Sequence, residues 1–255
     1  MYSFVSGRRD CVDTHKLKAL AFDLDGTLTQ HKTKLEKKHQ QVLDRLGREY
    51  RLLMLGAGEC SRIFLQMNRY PIDIIGNYGM QYGQYNRITK NLDMQFNISL
   101  PCDRKSVILK LTELRKVLGL TQYSGASVEF HNSGCITFPL LGTETALDTK
   151  LAFDPDRKIR RAMYAEVVKA FPEYTVFIGG SSSFDLAPRP YNKYYALDIF
   201  CRNEKLSHDN VLYVGDDYGL GGNDEAVYQS DFPFLTIDDY TMFPELMNSH
   251  FPAGL

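Results

Sequence analysis

The sequence predicts an α/β protein: a mostly parallel sheet built from both ends of the chain, with an α+β segment inserted between them. Three observations predict it. Apolar strand-like runs alternate with amphipathic helical stripes at both ends, the order that builds βαβ units. The first run, Leu20-Ala21-Phe22, ends in Asp23-Leu24-Asp25-Gly26-Thr27, and strand ends are where open α/β sheets place their chemistry. The middle of the chain breaks this rhythm with hairpin-like alternation.

Taken in order, residues 17–22 form the first strand, and residues 35–46 form an amphipathic helix that Gly47 terminates. Residues 51–55 make a second strand, followed by the turn Gly56-Ala57-Gly58 and a helix over 59–67. A third strand over 72–75 enters the turn Gly76-Asn77-Tyr78-Gly79. Residues 82–98 alternate polar and apolar side chains, as a hairpin does. Val107, Leu111, Leu114 and Leu118 form one helical stripe; Ile159, Met163, Val167 and Ala170 form another. Between the stripes, residues 128–130 and 135–138 flank the turn His131-Asn132-Ser133-Gly134, and residues 174–178 return to strand. A helix begins near Lys193, after Pro188-Arg189-Pro190. Residues 211–214 form a short strand closed by Gly215-Asp216; a helix over 223–229, a strand over 234–237 and a terminal helix follow. The expected division is a core of residues 1–89 and 181–255 with an insertion over 90–180.

Composition narrows the function classes. At 255 residues with 44% hydrophobic and 24% charged residues, the chain reads as a soluble globular protein. A formal net charge of −1 gives no general pull toward nucleic acid or anionic membrane. No apolar stretch approaches bilayer length, and the polar residues before Leu17, including Arg8, Arg9, Asp10 and Asp13, lack a signal-peptide core. The cysteines Cys11, Cys60, Cys102, Cys135 and Cys201 are odd in number and lack CxxC spacing, which fits reduced thiols in a cytoplasm.

The chemistry is carried by four separated segments. Side chains alternate along a strand, so Asp23 and Asp25 are expected to leave its end on the same side. Two like charges held that close call for a cation or a shared proton. Asp216 ends a later strand and supplies a distant carboxylate, and Lys193 sits at a helix start. The backbone N–H groups of Gly56, Ala57 and Gly58 form an expected anion cradle. An acid pair, a further carboxylate, a lysine and an anion cradle suggest phosphoryl chemistry with Mg²⁺, a hard cation bound through few carboxylates.

These segments resemble the four ordered motifs of the haloacid dehalogenase superfamily: Asp23-Leu24-Asp25-Gly26-Thr27, a glycine turn, Lys193, and Gly215-Asp216. The insertion is similar to the α+β (C2-type) cap of subfamily IIB, on a Rossmann-like core. Within that group the chain most resembles eukaryotic-type phosphomannomutases, through Gly179-Gly180-Ser181-Ser182-Ser183-Phe184-Asp185 and Gly221-Gly222-Asn223-Asp224 as well. The resemblance implies that Asp23 is the nucleophile, Asp25 the general acid and base, and Lys193 a stabiliser of phosphoryl charge. It implies that Asp23, the carbonyl of Asp25, and Asp216 bind Mg²⁺, and that Ser183 and Asp185 contact a sugar. Whether Asn223 and Asp224 reach the metal is left open.

The resemblance departs at the end of the second strand, where the superfamily usually has Ser or Thr and this chain has Gly56, and again in the insertion. Phosphomannomutases grip a second phosphate with several arginines, but no arginine occurs between Lys116 and Arg157, and His131, Thr143 and Lys150 stand at the aligned positions. Arg189 is read either as a substitute cation that binds substrate or as an exposed charge in a proline-braced hinge. The leading expectation is therefore a Mg²⁺-dependent phosphatase acting through an aspartyl-phosphate on a small phosphate ester, in particular a sugar phosphate. The alternative is a hexose-phosphate mutase using the same aspartyl-phosphate, and a third reading is a non-catalytic sugar-phosphate-binding protein. The expected partner is a small phosphorylated molecule, with no nucleic acid or membrane, and the chain a monomer or homodimer. The basic clusters at 32–39, at Arg115-Lys116 and at 157–161 are read as solvated faces, and Cys60 as an inert, partly buried thiol.

Overall fold

A computed structural model describes residues 14–252; Cys11, Arg8, Arg9, Asp10 and Asp13 lie outside them. The described chain divides into two compact units. The first runs to Asn97 and resumes over Lys193–Tyr218 and from Asp224; the second comprises Ile98–Asn192 with Gly219–Asn223. In the first, β1 (Ala19–Phe22), α1 (Lys37–Leu46), β2 (Arg51–Leu55), α2 (Cys60–Gln66) and β3 (Asp73–Gly76) lead to the hairpin β4 (Gln81–Asn86) and β5 (Asn91–Asn97). The second unit holds α3 (Arg104–Val117), β6 (Glu129–Phe130), β7 (Ile136–Pro139), α4 (Leu147–Phe153), α5 (Lys158–Ala170), β8 (Tyr174–Gly179) and β9 (Ser183–Pro188). The chain then returns through α6 (Lys193–Glu204), β10 (Val211–Gly215), α7 (Glu225–Tyr228), β11 (Phe234–Thr236) and α8 (Phe243–His250).

The first unit is a seven-stranded sheet in the order β11-β10-β1-β2-β3-β4-β5. Its first five strands are parallel and the hairpin is antiparallel. β1 is buried at all four residues because helices cover both faces. Leu20 and Phe22 pack with residues of α1, α2 and α8, whereas Ala19 and Ala21 pack with Ala196, Leu197 and Phe200 of α6. Phe22 pairs with Val214 on one side and Met54 on the other. That register brings Asp23, Gly56 and Gly215-Asp216 out at one end of neighbouring strands.

The second unit is a four-stranded antiparallel sheet, β6-β7-β9-β8, whose buried residues pack with α3 and α5. Two boundaries differ from expectation, as does the short segment Gly219–Asn223, expected in the core but part of the second unit. Residues 90–97 belong to the first unit because β5 pairs along β4, and residues 181–192 belong to the second because β9 pairs with both β7 and β8. Helix α4 has no fully buried residue and so left no periodic signal in the sequence.

Three members of the basic clusters are buried, not solvated. Arg115 donates to the carbonyls of Leu120, Leu140, Ser127 and Pro139, and Arg160 pairs with Asp154 at 2.9 Å while holding the carbonyls of Gly179 and Gly180. His39 contacts the Leu28 carbonyl through Nδ1 at 2.9 Å, and burial lowers its pKa. In each case backbone oxygens inside a loop need donors, and the long polar side chain supplies them.

Candidate active site

The segment after β1 is shaped by its own backbone. Asp23 N–H still donates to the Val214 carbonyl, but Leu28 and Thr29 then fold back to donate to the Leu24 carbonyl. Gly26 takes a φ of +103°, and the Asp216 carboxylate lies where its Cβ would be. Only glycine serves both needs there. Thr27 completes the contact by donating its hydroxyl to Asp216 at 3.1 Å.

Lys193 is 0% exposed and Asp23 4%. Its ammonium sits 2.5 Å from Asp23 Oδ1 and 2.7 Å from Asp224 Oδ1. Burial works against that charge, yet Asp224 and Asp23 hold the lysine above its ordinary pKa. Burial pushes Asp23 well above the usual carboxylate range against the pull of Lys193, and Asp224 and Asp216 push the same way. Asp216 is pushed up to about 6, by burial first and then by Asp224. Oxygens of Asp23, Asp216 and Asp224 lie within 4.8 Å of one another, a grouping able to hold a metal ion. An all-oxygen, three-carboxylate set fits a hard divalent cation.

Asp224 is the residue the sequence left open, and every oxygen of its carboxylate is engaged. Oδ1 also accepts from the Tyr213 hydroxyl at 2.6 Å, and Oδ2 accepts from the Asp217 N–H at 3.0 Å. Tyr213 was missed altogether: it reads as one more apolar residue of a buried strand.

Asp25 departs from expectation. The chain leaves the strand at Phe22, so simple alternation no longer applies, and the Asp25 carboxylate stands outside the three-carboxylate group. Its Oδ1 accepts from the Lys32 N–H at 2.7 Å and from Gln66 Nε2 at 2.6 Å, while Oδ2 faces Arg62 at 3.6 Å. The glycine turn is corrected in one member. Gly56 donates its N–H to the Ile75 carbonyl, extending the pairing of β2 with β3, and cannot donate to an anion as well. The N–H groups of Ala57 and Gly58 have no partner among the described residues. Cys60 is buried, and burial pushes its thiol up to about 12, the state of an inert thiol.

The remaining predicted site residues belong to the second unit. Ser183 donates its hydroxyl to the Gly179 carbonyl at 3.0 Å, and Asp185 accepts from Thr137 at 2.9 Å, itself 3.0 Å from His131 Nε2. Both lie on β9 two residues apart, hence on one face. Arg189 is exposed and donates Nε to the Pro172 carbonyl at 2.9 Å, the behaviour of a brace.

Comparison with known proteins agrees with this architecture. Residues 39–240 match the family described as eukaryotic phosphomannomutase. A phosphomannomutase of Saccharomyces cerevisiae is 26% identical over 218 residues, which cover 81% of this chain and 83% of that one. Phosphomannomutase 1 of Homo sapiens is 23% identical over 219 residues, 81% of each chain. Among solved structures, a haloacid dehalogenase-like hydrolase from B. subtilis has a TM-score of 0.60 at 15% identity, covering 92% of this chain and 100% of its own. An IMP-nucleotidase of Plasmodium falciparum has a TM-score of 0.65 at 14% identity, over 91% of this chain and 68% of that one. At such identities the solved structures speak for the fold, while the family match spans most of the sequence. The chain belongs to the eukaryotic phosphomannomutase family and is an enzyme of the haloacid dehalogenase type.

Proposed function

We propose that this enzyme moves a phosphoryl group between hydroxyls of a hexose phosphate by way of Asp23, the mutase reaction for which its sequence relatives are named. The observation that carries the reading is the buried Lys193 bridging Asp23 and Asp224. Burial pushes Asp23 toward its protonated form, and Lys193, itself without a solvent shell, pulls the other way, the direction a nucleophilic carboxylate needs. Attack by the Asp23 carboxylate on phosphorus forms the Asp23–phosphate bond as the ester bond to the sugar oxygen breaks. Asp25 protonates that leaving oxygen through Oδ2, because Oδ1 is occupied by two donors. It then takes the proton of the incoming hydroxyl as the aspartyl-phosphate is cleaved. Asp23, Asp216 and Asp224, with the carbonyl of Asp25, are the residues that would hold Mg²⁺, which supplies charge neutralisation for the phosphoryl oxygens. The free N–H groups of Ala57 and Gly58 serve the same oxygens. Ser183 and Asp185 offer acceptors for sugar hydroxyls.

Hydrolysis of the same aspartyl-phosphate is the second reading. One observation favours it: Lys150, a cation of the arginine-free stretch, spends its ammonium on the Thr143 carbonyl at 2.8 Å. A weak grip on a second phosphate leaves water as the easier acceptor.

The deciding assay follows mannose 1-phosphate with Mg²⁺ and glucose 1,6-bisphosphate by phosphorus NMR. Mannose 6-phosphate that disappears in Asp23→Asn supports the mutase. Inorganic phosphate in its place, equally Asp23-dependent, makes the enzyme a phosphatase, and neither product sinks both readings.

A further inference from the structure

Arg62 belongs to no step described above, yet it lies beside the proposed acid. It projects from α2 with 45% of its side chain exposed, and its Nη1 is 3.6 Å from Asp25 Oδ2. Two features fix the guanidinium there. Gln66, one helical turn on, accepts from Nη1 at 2.8 Å while its amide donates to Asp25 Oδ1 at 2.6 Å. The guanidinium also lies against Gly58, filling the place of a Cβ, so the glycine makes room for it. The pairing with Asp25 is longer than a hydrogen bond, and one donor of the five goes to Gln66.

The position defines what the guanidinium meets. An ester oxygen protonated by Asp25 has to come within about 2.8 Å of Oδ2. The carbons and substituents next to that oxygen then fall within reach of Arg62. A planar cation with open donors, placed on the leaving-group side of the ester, suits an anionic group. We infer that Arg62 reads the leaving alcohol and selects phosphate esters whose alcohol bears an anionic group close to the ester oxygen. The inference rests on the proposed role of Asp25 and goes beyond the hexose-phosphate reading: it assigns the same site a second class of ester, whose alcohol carries an anion that a hexose lacks.

Matched probes test it: 2-phosphoglycolate, with a carboxylate beside the ester carbon, and 2-hydroxyethyl phosphate, its neutral counterpart. Their dissociation constants are measured by calorimetry in Asp23→Asn with Mg²⁺, where no turnover interferes. The inference expects at least about a tenfold preference for phosphoglycolate, the range of a hydrogen bond to a charged group. The preference should fall to near one in Asp23→Asn/Arg62→Ala and persist in part in Asp23→Asn/Arg62→Lys. Gly58→Ala, which displaces the guanidinium, should reduce it too without a large loss of thermal stability. Equal binding of the two probes, or a preference that survives Arg62→Ala, overturns the inference. An equal loss for both probes on Arg62→Ala also overturns it, since the arginine would then serve the transferred phosphate. A native chain that turns over no phosphate ester defeats the reaction reading, while the binding ratio still decides the case of Arg62.

Discussion

Lys193 concentrates the energetics of the site in one side chain. Replacing it with Met leaves two buried carboxylates facing each other without their cation, a change that costs about 3–5 kcal/mol in comparable buried pairs. Lys193→Met is therefore expected to lose activity and to melt well below the native protein without metal, with Mg²⁺ recovering part of the difference; a melt unaffected by Mg²⁺ would contradict this. Asp216 gives the pH dependence. Its folded pKa of about 6 lies above the ordinary value, so the folded state holds the extra proton and loses stability as pH rises through 6. A bound cation needs the ionised form. Thermal melts from pH 5 to 7.5 should thus fall without metal, and the Mg²⁺-induced rise in Tm should grow over the same interval. Asp23 and Asp216 were legible in the sequence because their motifs fall at strand ends, whereas Lys193 stood out only through the family resemblance, since a lysine at a helix start is ordinarily solvated. Tyr213 was not legible, since a phenol in an apolar strand leaves no mark until its hydroxyl is found on Asp224.

At the level of elements, the site depends on how β1 ends. The turn that follows has to reverse within a few residues and leave space for a carboxylate from β10, and Gly26 meets both demands. Gly26→Ala combines backbone strain with a collision against Asp216. It should abolish most of the Mg²⁺-induced stabilisation, and a full metal response in that variant would show that the contact is dispensable. The parallel strands were readable because burial on both faces makes them continuous apolar runs. The hairpin of β4 and β5 was readable from its alternation, but its place in the first unit and the existence of β9 were not, because the first is set by pairing across β3 and β4 and the second lies in a motif rich in glycine and serine. Pairing with neighbours, not composition, decides both.

For the whole molecule, two units with separate cores imply two separable stabilities. The second unit leans on the buried Arg160–Asp154 pair and the carbonyls that Arg160 gathers. Arg160→Met should destabilise that unit by about 3–5 kcal/mol while the first still binds Mg²⁺, seen as a melt split into two transitions of which only one responds to the metal. A single transition shifted as a whole would show that the units unfold together. Fold class and family were visible from the sequence because alternation and motif order are spread along the chain. The buried arginines were not, because a basic cluster looks the same whether its members face solvent or close a loop.

The neighbours β1 and β10 come from opposite ends of the chain, and Lys193 and Asp23 are 170 residues apart in sequence. During synthesis Asp23 emerges long before Lys193, Asp216, Asp224 or the neighbouring strand β10. Until about residue 224 has left the ribosome, Asp23 lacks the lysine and carboxylates that surround it, on a strand whose neighbour β2 has been made but whose neighbour β10 has only just followed. The site is thus assembled only once everything from Asp23 to Asp224 has been made, and metal binding reports that β1 and β10 have met.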